Sequence, residues 1–113
     1  MSASPDPLDA LIAAPDTHSL LFENDNVRVV ATRIAPGETT SLHTHCWQQL
    51  MIVESFSDFI RRDESGQVTV DSRGGQLPRP GAAVWVEALP PHTLENVGDA
   101  DLRVIGVEVK KTA

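Results

Sequence analysis

The stretch Gly37-Glu38-Thr39-Thr40-Ser41-Leu42-His43-Thr44-His45-Cys46-Trp47-Gln48-Gln49 decides how this chain is read. It carries two of the four histidines, one residue apart, with Gly37 six residues ahead of the first. In a β-strand, residues i and i+2 point to the same face. His43 and His45 can therefore converge on one point, which a metal ion needs and a packed core does not. Trp47 and Gln49 share that phase. From this stretch alone, a metal site and two histidines that merely alternate fit equally well.

Working outward, the surrounding sequence reads as strands. Val27 to Ala35 is rich in β-branched residues, and Pro36-Gly37 ends it in a turn whose glycine is free to take positive φ. Thr39 to His45 and Trp47 to Val53 follow as extended segments, then Ser55 to Arg62, with a bulge expected near Ser55 and Ser57. Asp63 to Gln67 is hairpin-loop chemistry, and Val68 to Asp71 pairs back. After a loop over Arg73–Pro80, Ala82 to Leu89 is a strand that Pro90-Pro91 should break. Thr93 to Val97 is short and extended, and Leu102 to Val109 alternates well. On the N-terminal side, Leu20-Leu21-Phe22 is an apolar run followed by turn residues. Leu8 to Ala14 predicts a helix of about two turns, capped by Asp6 with Pro7 at its first position and stopped by Pro15. Residues 1–7 should fray, and His18 reads as an ordinary exposed histidine in a polar connector. Roughly nine or ten short strands with no other helical period imply an all-β domain, as a closed barrel or a two-sheet sandwich. Residues 1–18 form an N-terminal extension, partly flexible, and residues 19–113 the barrel. A barrel of this size can enclose one small ligand.

Composition narrows the partners. A chain of 113 residues, 41% hydrophobic, fits one globular domain. A net charge of -7 and the absence of a basic tract argue against nucleic acid. No apolar run approaches the roughly 20 residues of a membrane span, and no signal-like segment opens the chain. The single cysteine, Cys46, excludes an internal disulfide framework. A cytoplasmic protein is the simplest expectation. Cys46 lies between the phases of His45 and Trp47 and should point away from them.

A second constellation lies in the last third. Gly81 precedes His92 by eleven residues, and Asn96 follows it by four. Pro90-Pro91 fixes the backbone ahead of His92. Asn96, just before Val97-Gly98-Asp99, reads as a turn residue bonding nearby backbone. With both constellations in hand, the chain resembles the cupin family. Gly37, five residues, His43-Thr44-His45, three residues and Gln49 are similar to the first cupin motif. Gly81, five residues, Glu87-Ala88-Leu89, two residues, His92, three residues and Asn96 are similar to the second. The resemblance spans Gly37 to Asn96 and implies a single cupin barrel, a double-stranded β-helix or jelly roll. Four positions depart from the pattern. Gln49 stands where most cupins have a ligand glutamate, Phe56 where the first motif usually ends in glycine, and Glu87 and Leu89 where the second has proline and glycine.

The resemblance implies a divalent transition metal (Fe, Mn, Ni, Co, Cu or Zn) held by His43, His45 and His92. Gln49 would be the fourth ligand or would bond to a metal-bound water. With glutamine in place of glutamate the site would keep more positive charge and should favour a small anionic or metal-chelating molecule. An inward Glu54, Glu87 or Glu95 would weaken that expectation. Trp47, Trp85 and Arg61 are pocket candidates. Either tryptophan fits the core at least as well, and Arg61 and Arg62 also fit a solvated strand end. Three functions follow: an enzyme, most plausibly of dioxygenase type; a metal or ligand binding and sensing module; or a metal-free structural cupin. Small cupins commonly pair through their outer sheets, so the resemblance implies a homodimer.

Overall fold

A computed structural model describes residues 6–110. The expected fraying of residues 1–7 falls mostly on 1–5, outside the described residues. One helical turn, α1 (Ala10–Ala13), precedes nine strands: β1 (His18–Glu23), β2 (Val27–Ile34), β3 (His43–His45), β4 (Gln49–Ser55), β5 (Phe59–Asp63), β6 (Val68–Asp71), β7 (Ala83–Val86), β8 (Leu89–Asn96) and β9 (Leu102–Val109). They form two antiparallel sheets, β1-β2-β9-β4-β7 and β3-β8-β5-β6. The all-β expectation holds, with the short helix where the sequence put helix-forming residues. No helix among the described residues is long and apolar enough to cross a membrane.

Period-two alternation sets the interior. Along β9, Leu102, Val104, Gly106 and Glu108 are buried, while the residues between them are more open. Buried Ile34, Val53, Leu102 and Val104 form the apolar core, with Met51, Phe56, Phe59 and Leu94 packed on it. Turn chemistry works as read. Gly37 takes φ 82° and Gly66 φ 89°, and the Asp63 carboxylate accepts from the backbone N–H of Ser65 and Gln67 in the β5–β6 loop.

Three local expectations need correction. The helix is one turn, not two, because Asp9 rather than Asp6 caps it. Asp9 accepts from Leu11 N–H, while Asp6 accepts from Leu8 N–H in a separate turn. Pro90 and Pro91 lie inside β8 instead of breaking a strand. β8 meets β5 only from His92 to Asn96, and its pairing with β3 skips from Leu89 to His92. Neither neighbour asks these prolines for an N–H. The extended run before the histidines shrinks to His43–His45, with Thr39 making only an isolated bridge to Glu95.

Candidate metal centre

β3 presents His43 and His45, and β8 places His92 directly opposite His43. A fourth imidazole arrives from the other sheet. His18 begins β1 and is only 5% exposed, so reading it as an exposed connector residue was wrong. Ring centroids are 4.4 Å apart for His43–His92, 4.7 Å for His18–His43, 4.9 Å for His43–His45 and 5.4 Å for His45–His92. One nitrogen from each of His18, His43 and His45 lies within 4.8 Å of the others.

Backbone carbonyls fix which nitrogen each ring offers. The Nδ1–H of His43 donates to Ser41 O at 2.7 Å and that of His92 to Pro90 O at 2.7 Å; His18 Nδ1 lies 2.9 Å from Thr17 Oγ1 and 3.1 Å from Ala14 O, a carbonyl that can only accept. Each ring is thereby held in the tautomer that leaves Nε2 as a free lone pair, as metal-binding histidines require. Burial keeps them neutral. It pushes His18 down to about 3, helped by His43 and His45, and pushes His43 to about 4 and His92 to about 3. Three buried imidazoles crowded together with Nε2 free, beside His45, fit a transition metal.

His45 is different. Its Nδ1 is buried without a hydrogen-bond partner, 3.8 Å from Glu108 Oε2. Glu108 is 2% exposed. Its other oxygen accepts from Arg28 Nε at 2.5 Å, and Arg28 also donates to both oxygens of Asp9 at 3.0 and 2.8 Å. Asp9 caps α1, whose Ala14 C-cap carbonyl holds His18. The N-terminal turn is thus part of the site's frame.

The four histidines and Glu108 line a cavity of about 120 Å³, together with Gln49 and Arg61. Gln49 sits over Gly106, where a Cβ would fall on its amide oxygen. Glycine at 106 is what lets the Gln49 amide lie flat inside the barrel. The chain crosses between sheets at Cys46–Gln48, so the phase running from His45 through Trp47 to Gln49 is interrupted. Trp47 consequently lies outside the cavity, its ring 5.0 Å from the Arg28 guanidinium carbon. Trp85 is neither pocket nor core. It is 50% exposed, with its indole N–H on Glu87. Cys46 is exposed. Asn96 is buried and joins its turn to β2, donating to Ala100 O and Ile34 O and accepting from Gly98 N–H.

The carboxylate expectation also shifts. Glu54 faces Arg103, Glu87 bonds Gln48 and Trp85, and Glu95 pairs with Arg62; none lines the cavity. Glu108 does. It was overlooked although it shares the period-two phase of Leu102, Val104 and Gly106. His18 carried no comparable signal, because one residue's shift in where β1 begins decides whether it belongs to the strand.

No protein-family model matches the sequence, and no curated relative matches it. Solved structures do. The chain is similar to a cupin domain of Bordetella pertussis Tohama I, at 19% identity over 83% of this chain and 92% of that one, with a TM-score of 0.66. A conserved protein with a double-stranded β-helix domain from Klebsiella pneumoniae aligns at 19% identity over 85% and 77%, TM-score 0.56. An RmlC-like cupin of Methanocaldococcus jannaschii aligns at 15% identity over 82% and 80%, TM-score 0.54. At these identities the likeness speaks for the fold. With its two antiparallel sheets closed around a histidine-lined cavity, the chain has the fold of a small single-domain cupin.

Proposed function

We propose that this protein is a metal-binding cupin that acts on a small, metal-chelating molecule by dioxygenase-type chemistry. The observation that carries the reading is the set of backbone carbonyls holding Nδ1–H of three clustered histidines. His43, His45 and His92 would hold the ion, His18 adds a fourth imidazole, and Gln49 offers an amide oxygen at the cavity wall. Imidazole donors accept Fe, Mn, Ni, Co, Cu or Zn. When bound, such an ion supplies Lewis-acid or redox chemistry to a chelated substrate. The chain's own contribution is orientation and exclusion of water. Carbonyls aim the rings, and the apolar end of the barrel closes the cavity floor.

Glu108 revises the charge argument. Two carboxylates and one guanidinium in the Asp9–Arg28–Glu108 triad leave one negative charge behind His45. The charge a ligand carboxylate would bring is delivered one imidazole away, from the Glu108 carboxylate that stands 3.8 Å from His45 Nδ1. Substrate charge must therefore be argued from other groups.

A second reading is a binding or sensing module without turnover. Four histidines can close a four-coordinate site, and closed sites are structural rather than catalytic. Metal analysis of the purified parent and of His18→Ala, His43→Ala, His92→Ala and Gln49→Leu tests both. The expectation is about one equivalent in the parent and loss in the His43 and His92 variants. A metal-free parent that cannot be loaded sinks both readings. Oxygen consumption with 1,3-diketones and 2-oxo acids then separates enzyme from module.

The homodimer expected by resemblance has a surface to form on. Phe22, Val29, Val107, Leu50 and Trp85 are directly opposed on successive strands, an apolar row across all five strands of the larger sheet. Phe22, Leu50 and Trp85 are exposed, and so continuous an apolar row supports placing the dimer contact there. Light scattering should give twice the monomer mass for the parent and the monomer mass for Leu50→Glu with Trp85→Glu. A monomeric parent would remove the dimer.

A further inference from the structure

Arg61 is the cavity's unbalanced charge. It lies on β5 opposite Leu94, and its side chain lines the same cavity as the four histidines. It also lines the open depression at the barrel mouth, where Arg73 and Arg79 sit. Its Nε is buried without a hydrogen-bond partner. The arginines near carboxylates are paired: Arg28 with Asp9 and Glu108, Arg33 with Asp101, Arg62 with Glu95, Arg73 with Asp71 and Arg103 with Glu54. Among the described residues no carboxylate lies within ion-pair distance of Arg61. Its guanidinium carbon is 5.8 Å from the Phe59 ring centroid, a weak contact that offers no counter-charge. Burial pushes its pKa down, and its charge in turn helps lower His43 and His92.

Leaving a guanidinium partly desolvated and unpaired is a cost that an arriving anion relieves. A single planar guanidinium matches the two oxygens of one carboxylate, whereas a phosphate is usually met by several donors. We propose that Arg61 receives a carboxylate carried by the same small molecule whose other end chelates the metal. The ligand is then a carboxylate-bearing chelator, entering from the mouth where Arg73 and Arg79 lie. This rests on the metal-centre reading and adds a second anchoring point to it. Arg61 decides which chelators are accepted; it does not hold the metal.

Matched probes test this. Co(II)-loaded protein is titrated with acetohydroxamate, with the monohydroxamate of succinate, and with the latter's terminal amide, following the visible cobalt absorption. The free carboxylate should bind about tenfold tighter than the amide, the worth of one charge-assisted hydrogen-bonded pair. Arg61→Gln should abolish that preference, read as the ratio of carboxylate to amide affinity within each variant, while Arg61→Lys keeps part of it. Equal affinities for carboxylate and amide in the parent overturn the proposal, as does a preference that survives in Arg61→Gln. If the parent takes up no cobalt, the metal reading fails separately. Arg61 is then tested by acetate in the metal-free protein. A thermal shift present in the parent and absent in Arg61→Gln supports the anion site, and no shift in the parent overturns it.

Discussion

The two ends of the barrel interior are built by the same strands and could hardly differ more. Going along β2, the inward residues run Ile34, Thr32, Val30, Arg28; along β9, Leu102, Val104, Gly106, Glu108; along β4, Val53, Met51, Gln49. They stack in register: Ile34 opposite Leu102, Thr32 opposite Val104, Val30 opposite Gly106, Arg28 opposite Glu108. Gln49 faces Glu108 across the next pair of strands. One end is an ordinary apolar core. The other buries two carboxylates, a guanidinium and three imidazoles, with the half-buried His45 beside them. At the apolar end burial itself is the stabilising force. At the polar end burial is a cost, offset only where every group finds a partner. The groups left over, His45 Nδ1 and Arg61 Nε, both border the cavity.

The widest separation of the two ends should come from Arg28→Met. It leaves Asp9 and Glu108 buried without a counter-charge and should cost about 4 kcal/mol. It should also weaken metal binding about tenfold or more, because it frees both the carboxylate behind His45 and the helix cap that leads to His18. Ile34→Ala at the apolar end should cost about 3 kcal/mol and leave metal affinity within error of the parent. Urea denaturation and metal titration on the same two variants check this. If Ile34→Ala loses metal as Arg28→Met does, the two ends are one cooperative unit.

The ends also differ in their response to pH. In the unfolded chain the imidazoles protonate near 6.5, and in the fold at about 3 for His18 and His92 and about 4 for His43. Between those values the unfolded chain binds more protons than the fold. Stability of the metal-free protein is thus complete above 6.5 and falls as pH drops toward 3. His18→Ala should flatten the profile, and Ile34→Ala should lower it without changing its slope. Urea midpoints over that range are the measurement, and a flat profile in the parent would mean the histidines are not buried neutral.

Much of this was readable from residue order. The β-branched runs, the Pro36-Gly37 turn, the Asp63–Gln67 hairpin and the alternation of β9 each encode local structure that short-range sterics and side-chain hydrogen bonds dictate. The pairing of His43 with His45 needed only the two-residue repeat. The rest failed where a neighbour strand decides. Pro90-Pro91 reads as a break until the pairing partners are known not to need those N–H groups. Trp47 and Gln49 share a phase on paper, yet the chain changes sheets between His45 and Gln49, so one leaves the cavity and the other lines it.

The sequence by itself determined an all-β chain and a histidine pair on one face. Both follow from backbone periodicity, which is a property of a few consecutive residues. Only the tertiary structure decided what stands around that pair. It brought His18 from another sheet, put Glu108 behind His45 and left Arg61 facing the cavity without a carboxylate. Those positions depend on strand register and on charge balance summed over the whole interior, and no local stretch encodes either.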